Sequence, residues 1–244
     1  MEMTDRDRII SLAQSLRLPV FESYDKYVKP DMSIEGALIE LMSEEHAQRH
    51  SAMVKRRISG AGLPNGKTID TFKIVPSIPH LKQEQVDSLA SCQFIKDKMN
   101  CCALGGNGTG KTHLMSAIGR EAIRLGYTVK FMRVSDMLTS LHEANTEKRL
   151  GAMMKSLLKV DLLAMDELGY ISLSAKKSQL LFDVVAKRSE MGGSTFVTSN
   201  YEFSKWEKFT GDPVLTKALV GKLAGHAIVL NMNGEDYRIA SRKS

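Results

Sequence analysis

Residues 105–112 read GGNGTGKT, a full match to the pattern G-x-x-x-x-G-K-[ST]. At about 7% glycine, a chance match in a chain of this length is about one in a hundred. The setting narrows this further. The short apolar run Asn100 to Leu104 precedes the octapeptide and a helical pattern begins at Lys111, the strand–loop–helix order in which backbone N–H groups converge on phosphate oxygens. Gly105, Gly106, Gly108 and Gly110, with Asn107 and Thr109 between them, allow the tight path such a loop needs. Lys111 is expected to reach the β and γ phosphates, Thr112 to ligate Mg²⁺ through its hydroxyl, and the adjoining His113 to contact the nucleotide. The expected ligands are ATP and Mg²⁺.

Working outward, strands are expected at 100–104, 128–133, 161–165, 194–198 and 227–231, each short and apolar as buried parallel strands are. Helices are expected at 111–125, 135–143, 147–158, 175–191 and 214–224, and a polar helix at 81–94. This alternation predicts an α/β domain with a parallel sheet covered on both faces. The strand Leu162 to Met165 delivers Asp166 and Glu167 to the carboxyl edge of that sheet. Asp166 is expected to hold Mg²⁺ and Glu167 to polarise an attacking water. Asn200, at the end of the next strand, is expected to orient that water with Glu167; a plain turn is the alternative for Ser199-Asn200.

Before the α/β domain the pattern is helical. Thr4 is placed to cap a helix over 4–17 with Asp5 and Asp7 in its first turn, and Pro19 to end it. A second helix spans Ser33 to Ser59, with Ile34, Leu38, Leu41 and Met42 on one face before the sequence turns basic at Lys55, Arg56 and Arg57. The glycine-rich stretch 60–66 reads as a linker. Residues 1–62 therefore form a small helical module for contact with a partner or DNA, and 63–244 the ATPase domain.

The bulk properties are consistent with this. A chain of 244 residues, 43% hydrophobic and 25% charged, supports one or two globular domains. No apolar run approaches a membrane span, and the N-terminus carries too many charges of both signs for a leader peptide, so a cytoplasmic protein without membrane contact is expected. Cys92, Cys101 and Cys102 lack zinc spacing and are expected to be reduced core residues. The net charge of +6 suits a polyanionic partner.

With GGNGTGKTHL, LLAMDELGY at 162–170, TSN at 198–200 and GEDYR at 234–238, the sequence resembles the IstB family, helper ATPases of insertion-sequence transposases. It is also similar to the replicative helicase loader DnaC, and both belong to the AAA+ class. LRLP at 16–19 and KTIDTF at 67–72 extend the resemblance over nearly the whole chain. The family implies a homo-oligomer assembled on DNA in an ATP-dependent way, each nucleotide completed by a basic residue from a neighbouring subunit. Lys222 stands where the resemblance leads one to expect an arginine finger, and a point-charge ammonium does not reproduce the guanidinium fork. Arg238 fits the position that senses γ-phosphate. Arg188 falls on a helix able to face a neighbour, with an exposed helix charge as the alternative.

Duplex DNA contacted through its phosphates is the favoured nucleic-acid partner, with Lys55, Arg56, Arg57, Lys176 and Lys177 as candidate contacts. The protein partner is a transposase or, alternatively, a replicative helicase. A small-molecule kinase with the same loop is a third reading, against which Glu167 directly after Asp166 favours activation of water. A module that holds ATP without turnover is a fourth.

Overall fold

The computed structural model describes residues 3–74 and 78–237. The chain forms two compact units, Met1–Arg56 and Arg57–Ser244. The division lies six residues before the sequence-based boundary because 57–62 belong with the second unit: Ala61 is buried and its carbonyl accepts from the amide of Phe131 at 2.8 Å.

In the first unit, α1 (Asp5–Leu16) starts at Thr4 in a capping box with Asp7, the Thr4 hydroxyl accepting from the Asp7 amide at 3.2 Å. Pro19 opens a further short helix, α2 (Pro19–Glu22), taking the first helical position, where its missing N–H costs nothing. The long helix α3 (Ile34–Gly60) contributes Glu45, whose buried carboxylate accepts from the amide of Val20 at 3.0 Å and pairs with Arg49 at 2.7 Å. This charged contact fastens the start of α2, a place where an acidic group is favoured. Of the apolar face expected on the second helix, only Leu41 is buried; Ile34, Leu38 and Met42 are exposed, as are Leu12 and Leu16 on α1.

The second unit begins with α4 (Gln83–Ala90) and α5 (Gln93–Lys96), separated by Cys92 in the left-handed region (φ 55°), which breaks the single helix expected at 81–94. There follow β1 (Asn100–Leu104), α6 (Lys111–Arg124), β2 (Val129–Arg133), α7 (Val134–Thr146), α8 (Leu150–Leu158), β3 (Leu162–Leu168), α9 (Ala175–Met191), β4 (Ser194–Ser199), α10 (Glu207–Thr210), α11 (Pro213–Ala224) and β5 (Ala227–Asn231). The five strands make one parallel sheet in the order β2-β3-β4-β1-β5. β1 and β4 are buried along their whole length, as strands covered on both faces must be. The three cysteines are buried in this unit, and desolvation pushes the thiols of Cys92 and Cys102 up to about 12, so they behave as inert core groups. Among the described residues no helix is long and apolar enough to cross a membrane.

α10 escaped the sequence pattern because four residues carry too little periodicity. It nevertheless supports the loop after β3. Trp206 is fully buried with its indole N–H donating to the carbonyl of Tyr201 at 3.0 Å. Phe209 packs where a side chain on Gly169 (φ 89°) would stand, so only glycine fits there.

Arg188 faces neither solvent nor a neighbour. It is fully buried at the amino edge of the sheet, where Nη1 donates to the carbonyls of Leu157 (2.6 Å) and Val160 (3.1 Å). Nη2 donates to the carbonyls of Asp161 (3.3 Å) and Ser194 (2.5 Å), and Nε to Thr195 Oγ1 (3.2 Å). Both readings of this residue as a surface charge are thus corrected: the end of α8 leaves carbonyls that need a fork of donors from inside. Burial pushes its pKa down to about 10, partly countered by Asp161, so it stays charged at neutral pH. Arg188→Met should cost at least about 3 kcal/mol in urea unfolding, since several buried carbonyls lose their donor. A change within about 0.5 kcal/mol, typical of an exposed charge, would contradict this role.

Candidate functional site

The site lies at the carboxyl edge of the sheet. The loop after β1 is held on several sides: the Gly105 amide donates to Ser199 O at 3.1 Å, the Met232 amide to Leu104 O at 2.7 Å, and the Tyr237 amide to Gly108 O at 3.0 Å. Gly108 has φ 70°, and a Cβ there would fall 2.0 Å from the Asp236 carboxyl group, so the segment after β5 closes directly on the loop. Thr109 is almost fully buried and donates to Gly106 O at 3.0 Å. Gly110 caps α6 in the left-handed region and turns the first amides of the helix toward the loop.

Lys111 donates through Nζ to Gly105 O at 2.7 Å and Gly106 O at 2.5 Å. Desolvation pushes its pKa down to about 8, with the Asp166 carboxylate pulling the other way. A weakly hydrated ammonium near its titration point gains much from an incoming phosphate.

Asp166 is buried and accepts three hydroxyl contacts: Thr112 Oγ1 at 2.9 and 3.0 Å to its two oxygens, and Thr198 Oγ1 at 2.6 Å. Thr198 also accepts from the backbone amide of Glu167 at 3.0 Å, so one hydroxyl on β4 fixes both acidic residues. Between Met165 and Leu168 the β3–β4 register shifts, and Glu167 sits in the left-handed region (φ 61°). Such strain costs about 1–3 kcal/mol and survives where surrounding bonds over-determine it. It turns the Glu167 carboxylate outward, 42% exposed, toward Arg133 at the end of β2, whose Nε lies 3.5 Å from Oε2. One carboxylate is therefore buried and locked by hydroxyls while its neighbour is accessible.

These residues line a cavity of about 720 Å³, with Asn107 to His113, Arg133, Asp166, Glu167, Thr198, Asn200 and Tyr237 at the polar end and Phe72, Ile78 and Pro64 beyond. His113 is held by the preceding segment: its Nε2 lies 3.1 Å from both Thr71 Oγ1 and Thr68 O, and its ring meets Phe72 edge-on at 5.4 Å. The oxygen donors Thr112 and Asp166 suit Mg²⁺, which takes few protein ligands and fills its shell from phosphates and water. Among the described residues no group of three or more His, Cys, Asp or Glu gathers elsewhere as a metal cluster.

Other expected residues are placed apart. Lys222, in the last turn of α11, offers its carbonyl to Asn100 Nδ2 at 3.2 Å at the start of β1, the opposite edge of the sheet from the loop. Arg57 donates to Gly126 O at 2.5 Å, a fold contact. Lys55 and Arg56 are exposed on α3, while Lys176 is exposed and Lys177 half-buried in the first turn of α9. Arg238 lies outside the described residues. Sequence reasoning missed Thr198 and Arg133 as site residues. The TSN turn pointed to Thr198, whereas nothing in the order of residues pairs Arg133 with Glu167.

The family model described as IstB-like ATP binding protein matches residues 13–244. The chain belongs to this family. The ATP-binding protein of insertion sequence IS5376 from Geobacillus stearothermophilus is 32% identical over 243 residues, covering 98% of this chain and 96% of that relative. Two solved structures share the fold of this IstB-like chain: the DnaC helicase loader (TM-score 0.56, 20% identity, 74% of this chain and 99% of that one) and AMPPCP-bound DnaA from Aquifex aeolicus (0.58, 18%, 75% and 56%). The expected P-loop AAA+ architecture is thereby met.

With Lys111 as the proposed phosphate-binding cation, nucleotide affinity of this IstB-like protein should fall as pH rises through about 8. Fluorescent-nucleotide titration should show a flat response below pH 7.5 and up to about tenfold weakening per unit above 8. Lys111→Arg should remove the dependence, because guanidinium stays charged; a wild type that is flat to pH 9.5 would contradict the account.

Proposed function

We propose that this IstB-like chain binds ATP with Mg²⁺, hydrolyses it, and in its ATP form assembles on duplex DNA as the helper of a transposase. The observation that carries hydrolysis is the division of labour at Asp166 and Glu167, one carboxylate buried against Thr112 and Thr198 and the other 42% exposed in the same cavity.

In this reading the loop amides and Lys111 bind the triphosphate, and Thr112 with Asp166 holds the metal. Held there, Mg²⁺ would neutralise negative charge on the triphosphate. Glu167 accepts a proton from water as the water oxygen bonds to the γ phosphorus and the bond to the bridging oxygen breaks, releasing ADP and phosphate. Asn200, directly after β4, orients that water. An exposed acid poised for water disfavours a kinase, whose acceptor must be shielded from it. The family match and the insertion-sequence relative favour transposition over helicase loading, to which the likeness is one of fold. Lys55, Arg56, Lys176 and Lys177 are free to meet DNA phosphates. Lysines in the first turn of α9 oppose the helix dipole, which is consistent with their serving a ligand.

Phosphate release measured for wild type and two variants tests the chemistry. Glu167→Gln should lower turnover at least about 100-fold with ATP affinity retained, in line with loss of a general base. Thr198→Val should lower it about tenfold or more, since the hydroxyl positions both the Glu167 amide and the Asp166 carboxylate. Equal background rates in all three would leave a nucleotide-gated scaffold in place of an ATPase.

A further inference from the structure

The parallel sheet gathers the starts of its strands at the edge opposite the nucleotide cavity, and there a second concavity of about 320 Å³ is lined by Lys96, Lys98, Tyr127, Lys159, Asp161 and Gly192. Lys96, Lys98 and Lys159 are exposed, and none has a carboxylate within 4.0 Å among the described residues. The Lys98 side chain lies over Gly192, where a Cβ would come within 2.9 Å of its Cδ and 3.1 Å of its Nζ. The one acid of the concavity, Asp161, is already engaged by the amide and hydroxyl of Thr128 at 2.7 and 2.6 Å.

Lysines often collect at helix C-termini to offset the dipole, and α8 and α9 both end here. That explanation is used up from beneath. At α8 the buried Arg188 supplies a full positive charge directly to the carbonyls of Leu157 and Val160, and at α9 the carbonyls of Arg188 and Ser189 are taken by the amides of Gly193 and Gly192. Among the groups lining the concavity the three surface ammonium groups stand against the carboxylate of Asp161, and even with Asp97 between Lys96 and Lys98 counted the surface stays net positive.

We infer that this edge of the sheet is a second binding surface, remote from the ATP cavity, at which Lys96, Lys98 and Lys159 engage the phosphate backbone of a nucleic acid. Ammonium groups on flexible stems are point charges that follow a repeating phosphate chain without reading bases. Among the described residues the one guanidinium fork beneath this surface, Arg188, has its donors spent on backbone carbonyls and Thr195, leaving the ammonium groups to meet the ligand. The inference rests on the proposed contact with DNA but assigns it to residues independent of the nucleotide site and of Lys176 and Lys177.

The test is a salt titration of duplex binding by fluorescence anisotropy with the full chain and ATP, comparing wild type, Lys96→Gln/Lys98→Asn/Lys159→Gln, and Lys176→Gln/Lys177→Gln. Asn is chosen at 98 because Lys98 has φ 57°, which Asn tolerates. The triple variant should keep its unfolding midpoint and nucleotide affinity. It should bind duplex at least about tenfold more weakly, with the slope of log K against log salt smaller by about 2–3, one step per lost phosphate contact. A slope equal to that of wild type overturns the inference while leaving ATP-dependent DNA binding intact. Absence of duplex binding by the wild type overturns both. Polyglutamate competing as well as duplex at equal charge also overturns it, by making the surface a general acidic-partner site.

Discussion

The three hydroxyl contacts on the Asp166 carboxylate, two from Thr112 and one from Thr198, tie together the elements the site is built from. Thr112 opens α6 behind the phosphate loop, Asp166 lies on β3 and Thr198 on β4. In the strand order, β4 stands between β3 and β1, so Thr198 meets Asp166 from the strand lying between that acid and the loop, while Thr112 reaches the same carboxylate directly. A buried carboxylate is tolerable only with such donors. The same contacts that satisfy the buried Asp166 also bring the start of α6 against β3, where the metal is proposed to sit, and, through the Glu167 amide, aim the exposed carboxylate.

The two edges of the sheet solve opposite problems with one topology. At the carboxyl edge, loop amides, Lys111 and two acids face a common cavity. At the amino edge, a buried guanidinium gathers the carbonyls left at the end of α8 and the start of β4, which fixes where β3 and β4 begin and hence how far apart their far ends lie. A helix read in sequence as able to face a neighbouring subunit supplies the buried residue responsible.

Much of this was legible in the residues alone. GGNGTGKT between a short apolar run and a helical pattern announced the loop, and all five strands fall within three residues of their expected limits, β1, β3 and β4 because buried parallel strands are short and apolar. Asp166 and Glu167 followed from their place after an apolar run. Interactions set by the packing of distant segments were not legible. Arg188 reads as polar on an amphipathic helix, and only the tertiary fold shows that carbonyls surround it. The pairing of Arg133 with Glu167 depends on β2 lying beside β3 and on a positive φ at Glu167, neither written in local sequence. The exposure of Ile34, Leu38 and Met42 likewise defeats a periodicity argument, since an apolar face predicts burial only where something packs against it.

Everything proposed for the site depends on Thr112 and Asp166 forming the metal position beside the phosphate loop. Calorimetric titration of ATP with Mg²⁺ and with EDTA, for wild type and for the near-isosteric Asp166→Asn, tests it most directly. The account predicts that wild type binds ATP distinctly more tightly with Mg²⁺ and that Asp166→Asn loses this increment while still binding ATP in EDTA. An increment of equal size in both proteins would contradict it.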